Sequence, residues 1–177
     1  MKQQEFQIRD ALAEDMGDVE RISIANKSQK DPTYWDLCKM RMDSKELSVF
    51  VAETPAKEIV GYGLLNWKPK YRLYENLNIP EIQDLNVLPE YRRRGIAKAL
   101  IRECEEKAAV KGHQEMGISF GLTKEYGYAQ KLYISLGYVP DGFGVTYDRE
   151  PVPHGQLKAV DDNLCLMLIK KLTACPN

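Results

Sequence analysis

Apolar and polar positions alternate at Phe6 and Ile8, which predicts a short first strand. Beyond it the apolar residues Met16, Val19, Ile22 and Ile24 predict the inward face of a helix that opens at Asp10 or Glu14 and runs to about Lys27. Asp31-Pro32 interrupts that helix, and Pro32 suits the first turn of a second helix from Thr33 to Arg41. Ser48 to Glu53 and Ile59 to Trp67 predict two strands joined by a turn around Pro55-Ala56-Lys57, an antiparallel hairpin. Trp67 to Ile79 is a tyrosine-rich loop, and Glu81 to Leu88 is a fourth strand. Ile96, Leu100, Ile101, Cys104 and Ala108 fall on one face of a helix from Gly95 to Lys111, ended by Gly112.

Past that helix, Met116, Ile118, Phe120 and Leu122 alternate with small residues and predict a strand. Tyr128 to Leu136 is a helix stopped at Gly137, followed by a strand near Gly137 to Pro140, a long loop, and a last strand from Leu164 to about Lys170. This order describes a mixed α/β or α+β architecture, a central sheet with helices on both faces. A strand–helix–strand unit through Gly95 makes its flanking strands parallel, with a right-handed crossover. The chain has 177 residues, with no repeat and no linker, so residues 1–177 are expected to form one domain.

Composition narrows the function. The net charge is −1, so there is no global attraction to nucleic acid or to an anionic membrane. No apolar stretch is long enough to span a bilayer, and the polar start Met1-Lys2-Gln3-Gln4-Glu5 is unlike a signal peptide. Cys38, Cys104, Cys165 and Cys175 are scattered and make no C-x-x-C pair, so no zinc site is expected and reduced thiols in a cytoplasmic protein are.

Local charge sits in Arg92-Arg93-Arg94, between the fourth strand and the long helix. An arginine run by itself is ordinarily a solvated face. Here it precedes Gly95-Ile96-Ala97 at a helix start, where backbone N–H groups lack internal partners and the helix dipole is positive. That combination suits a phosphate or pyrophosphate. A Walker-type loop is absent, and Gly61-Tyr62-Gly63 and Gly142-Phe143-Gly144 lack the third glycine and following helix of a dinucleotide fingerprint.

Arg92-x-x-Gly95-x-Ala97 resembles the Q/R-x-x-G-x-G/A acyl-CoA motif of the GCN5-related N-acetyltransferase (GNAT) superfamily. Ala129, Leu132, Tyr133, Gly137 and Tyr138 are similar to that family's N-x-x-A-x-x-L-Y-x-x-x-G-[FY] signature, with Tyr126 where the family usually has Asn. The resemblance implies a GNAT-like mixed sheet in which the fourth and fifth strands pair in parallel and are splayed by a β-bulge. It implies that the amides of Arg93, Arg94, Gly95, Ile96, Ala97 and Lys98 wrap the pyrophosphate of acetyl-CoA. The freed backbone of Leu85, Asn86 and Val87 is then expected to pair with the pantetheine arm, the Val87 N–H facing the thioester carbonyl.

The same resemblance implies an acetyl-CoA-dependent N-acetyltransferase whose acceptor is a primary amine, of a small molecule or of a protein. Tyr133 corresponds to the family tyrosine that protonates the departing thiolate. Glu81, eleven residues before Arg92, matches the strand-four glutamate of the histone-acetyltransferase branch and is the candidate base, with Asp84 competing. His113 and His154 are not expected in the catalytic set. Acceptor-binding regions are expected at Gln29 to Asp36 and Asp141 to Glu150, which mix aromatics with carboxylates suited to a cation. Family members are often dimers, so a homodimer is compatible with this reading. A non-catalytic acyl-CoA-binding sensor on the same scaffold is the alternative.

Overall fold

The computed structural model describes residues 5–28 and 30–173. Thirteen elements carry the fold: β1 (Gln7–Asp10), α1 (Met16–Ala25), α2 (Tyr34–Asp43), β2 (Leu47–Glu53), β3 (Ile59–Asn66), α3 (Arg72–Leu77), β4 (Glu81–Val87), α4 (Ile96–Val110), β5 (Glu115–Gly121), α5 (Gly127–Ser135), β6 (Val139–Tyr147), β7 (Glu150–Pro151) and β8 (Leu164–Lys171). The mixed α/β class expected from the element order is the class observed. Two compact units divide the chain, one of residues 1–67 and 82–107, the other of residues 68–81 and 108–177.

In the first unit the strands run in the order β1-β2-β3-β4. β1 and β3 flank β2 antiparallel, with Arg9 opposite Val51 and Phe50 opposite Gly63. All eight residues of β3 are buried, which is why its sequence reads as an apolar run and not as an alternation. α1 packs on β3 and α2 on β2. Met16, Val19 and Ile22 face inward as expected, whereas Ile24 is 68% exposed. Two residues beyond Ile22 is about 200° around the helix, so Ile24 leaves the buried stripe. The expected face of α4 is buried throughout: Ile96, Leu100, Ile101, Cys104 and Ala108.

In the second unit the order is β5-β8-β6-β7, all antiparallel. The segment after Trp67, expected as loop, contains α3. Its helix is only 6 residues long and is held by Tyr74, whose hydroxyl donates to the Leu168 carbonyl at 2.6 Å. Gly117 makes room for it: a Cβ there would lie 2.3 Å from the Tyr74 ring. Gly117 also donates its N–H to the Pro80 carbonyl at 2.9 Å, tying β5 to the residue just before β4.

The strand expected near Gly137 to Pro140 is longer than its pattern suggests. β6 continues to Tyr147, past an irregularity between Pro140 and Val145 that contains the left-handed glycines Gly142 and Gly144. Asp148 and Arg149 then take φ of 50° and 65°, a two-residue hairpin turn into β7. Cys38 and Cys104 are buried free thiols and Cys165 is half-buried; Cys175 lies outside the described residues. No helix among the described residues is long and apolar enough to cross a membrane.

Candidate active site

The arginine-rich segment folds as a sharp turn. After β4 a single 3-10 turn, Pro89–Tyr91, leads to extended Arg92, left-handed Arg93 (φ 64°) and left-handed Gly95 (φ 86°). α4 then begins, and its first intrahelical bond runs from the Ala99 N–H to the Gly95 carbonyl at 3.0 Å. The amides of Ile96, Ala97 and Lys98 therefore precede the helical ladder. No side chain among the described residues caps them. A Cβ built on Gly95 meets nothing within 4 Å, so the space before the turn is open.

Two of the three arginines brace the turn. Arg92 donates from Nε to the Val87 carbonyl at 3.3 Å and from its guanidinium to the Asn26 side-chain oxygen. Arg94 donates to the Glu90 carbonyl at 3.1 Å and stacks 5.0 Å from the Tyr91 ring centroid. Both remain exposed, as do Arg93 and Lys98, and Arg94 also pairs with Glu5 at 3.6 Å. Ile96 is buried and Ala97 half-buried, which anchors the helix start in the core of the first unit.

β4 is kinked at Asp84, whose φ is 47°. A left-handed residue inside a strand bends it and breaks the regular ladder, as a bulge does. The kink falls one residue before the expected Leu85–Val87 segment. Two glycines of β3 accommodate the bent backbone. A Cβ on Gly61 would lie 3.2 Å from the Asn86 carbonyl oxygen and 3.3 Å from Val87 Cγ2, and one on Gly63 would lie 3.1 Å from Leu85 Cδ1. Glycine within an apolar strand is the signal of close backbone approach, and that is its role here.

The kink turns the Asp84 carboxylate toward the α1–α2 connection. It accepts from Lys30 Nζ at 2.5 Å and from the Tyr34 hydroxyl. Burial first, and then the Asp84 charge, push the Tyr34 phenol well above its ordinary range. Asn86 is held by its Nδ2, which donates to the Tyr62 hydroxyl at 3.0 Å. Glu81, at the start of β4, is fully buried and receives two hydrogen bonds from Arg149, at 2.8 and 3.4 Å. The left-handed hairpin turn at Asp148-Arg149 aims that guanidinium.

Breaking this pair takes from the buried Glu81 carboxylate the two hydrogen bonds that Arg149 supplies. Arg149→Met is expected to destabilise the fold by about 3–5 kcal/mol, as measured by urea unfolding. The double variant with Glu81→Gln is expected to recover a large part of that loss, because no charge is then stranded.

Tyr133 is buried on α5, with its ring centroid 6.4 Å from those of Phe120 and Tyr138. Its hydroxyl has no hydrogen-bond partner among the described residues. Burial alone raises this phenol above its ordinary value of 10. Tyr126, at the position of the family asparagine, lays its ring over Gly121, where a Cβ would approach within 2.5 Å, and donates to Asp162 at 3.1 Å. His113 contacts the Asn78 carbonyl at 2.9 Å, and His154 is exposed in a loop.

A kinked strand leading through a glycine turn to a long helix marks a class of mixed α/β protein. Which one is settled by a family model: residues 45–140, more than half of the chain, match the acetyltransferase (GNAT) domain, and the chain belongs to that family. No curated protein matches its sequence. Among solved structures it is similar to the spermidine N-acetyltransferase of Vibrio cholerae, in complex with CoA and spermine, at TM-score 0.69 and 15% identity over 97% of this chain and 98% of that one. A phosphinothricin acetyltransferase of Sinorhizobium meliloti in complex with AcCoA gives TM-score 0.68 and 18% identity over 95% and 89%. A GNAT-family acetyltransferase of Staphylococcus aureus Mu50 gives 0.65 and 14% over 95% and 99%. At such identities the likeness is one of fold.

Proposed function

We propose that residues 1–177 act as one cytoplasmic acyltransferase domain that transfers the acetyl group of acetyl-CoA to a primary amine by direct attack on the thioester. The observation that carries this reading is the turn at Gly95: first-turn amides at a helix start that no side chain among the described residues caps, left-handed backbone and three clustered exposed arginines, in a chain of an acetyltransferase family. Arg92, Arg93, Arg94, Gly95, Ile96, Ala97 and Lys98 hold the pyrophosphate, and Leu85, Asn86 and Val87 meet the pantetheine arm. The names of structural neighbours that acetylate spermidine or phosphinothricin, or bind CoA, support the choice of cosubstrate and of an amine acceptor.

In this scheme the neutral amine nitrogen bonds to the carbonyl carbon, and the Val87 N–H steadies the resulting oxyanion. The C–S bond breaks and Tyr133 protonates the thiolate. Burial raises the phenol, so it keeps its proton at neutral pH, as a donor must. Glu81 receives the amine proton through water, its carboxylate oriented by Arg149. Asp84 is the second carboxylate on β4.

The decisive experiment is thiol release from acetyl-CoA against a panel of amines, with coupled titration of acetyl-CoA binding. Amine-dependent release is expected; no binding of acetyl-CoA by the folded protein removes the proposal. Tyr126 favours a second reading, since a ring packed on Gly121 stands where the family asparagine would be. A non-catalytic acyl-CoA sensor binds the cofactor tightly and releases no thiol with any amine.

A further inference from the structure

One cluster on the first unit does work that the phosphate turn and the thioester chemistry leave unexplained. Lys30 Nζ sits 2.5 Å from Asp84 Oδ1 and 4.8 Å from the Tyr34 ring centroid, while the Tyr34 hydroxyl binds Oδ2 of the same carboxylate. Trp35 closes the wall, edge-on to Tyr34 at 4.9 Å and to Tyr62 at 5.9 Å. A carboxylate flanked by aromatic faces is the arrangement that holds a primary ammonium. The ammonium present belongs to the chain itself, from a connection 54 residues away.

Three features mark this as a seat with a removable occupant. The Lys30 and Asp84 side chains keep 22% and 18% of their surface exposed, so the contact is open to exchange. Asp84 takes a left-handed conformation inside the strand, and its carboxylate is thereby presented to the seat. Replacing one ammonium by another leaves the charge balance intact, whereas an empty seat would take from the Asp84 carboxylate the ammonium in direct contact with it.

We propose that Lys30 is a built-in occupant of an ammonium seat formed by Asp84 and Tyr34, displaced when a cationic aliphatic amine binds. Asp84 lies three residues before Val87, about 10 Å along a strand. A linear diamine fits that span, with one ammonium on Asp84 and the other amino end directed along β4. The inference deepens the amine-acetyltransferase reading by naming its acceptor class, and it rests on that reading for the use made of the bound amine, not for the binding.

The test is calorimetric titration of 1,5-diaminopentane, without cofactor, into the wild type, Lys30→Met and Asp84→Asn. An internal competitor lowers apparent affinity by the fraction of free seats, so Lys30→Met is expected to bind at least about tenfold tighter. Asp84→Asn is expected to bind at least about tenfold weaker, because the charge-assisted bond is lost. In the wild type with 13C-methylated lysines, the Lys30 resonance is expected to shift as diamine is added, a readout that needs no variant to fold. Equal affinity in all three proteins, weaker binding by Lys30→Met, or an unmoved Lys30 resonance overturns the proposal. Failed thiol release alongside diamine binding sinks only the catalytic reading, and release with neutral amines but no diamine binding sinks only this one.

Discussion

Gly95→Glu is expected to abolish acetyl-CoA binding, with an affinity loss of at least about 100-fold, or 2.8 kcal/mol at 1.4 kcal/mol per decade. Two effects add. Gly95 sits at φ 86°, where any L side chain is strained by about 1–2 kcal/mol. Its Cβ would point into space that the protein leaves open, within 4 Å of no other protein atom, and a carboxylate there repels a diphosphate. Gly95→Ala separates the two. It carries the backbone strain and the steric approach without the charge, so its affinity is expected between those of wild type and Gly95→Glu. Titration calorimetry, with urea unfolding as a fold control, reads both. Unaltered affinity in Gly95→Glu would mean that the anion binds elsewhere.

Tyr133→Phe is expected to lower kcat by about 100-fold, the lower end of what a positioned acid contributes, while acetyl-CoA affinity is unchanged. The hydroxyl makes no hydrogen bond to the described residues, so its removal breaks no internal contact, and the ring keeps its packing against Phe120 and Tyr138. The pH dependence has a definite sign. A phenol raised above 10 by burial is protonated at neutral and mildly alkaline pH. The wild-type kcat should therefore show no decline from loss of this proton below pH 10. Single-turnover measurement of thiol release separates chemistry from product release. An equal single-turnover rate in Tyr133→Phe would take the tyrosine out of the proton transfer.

Local pattern carried most of the fold. The buried stripe of α4 follows from apolar residues at helical spacing, and the β2–β3 hairpin from two apolar runs around Pro55-Ala56-Lys57. The places where the fold departs from local pattern have a common cause. α3 has 6 residues, too few to show a period, and it exists because Tyr74 is seated in a slot that Gly117 opens 43 positions later. The pattern predicts a short β6 because glycines at 142 and 144 break its alternation, although pairing with β8 resumes at Val145. Ile24 is apolar yet solvated, because a helix face is fixed by angle and not by hydrophobicity alone.

By itself the sequence determined the mixed α/β class, the position of the glycine turn at a helix start and the family, because each depends on residues close together in the chain. Only the tertiary structure decided the company those residues keep. It gave Glu81 to Arg149 across 68 positions and Asp84 to Lys30 across 54. Such partnerships arise when a kinked strand and a hairpin turn direct a charge inward, where it must find an opposite charge or lose its own. No local pattern records which distant side chain will answer it.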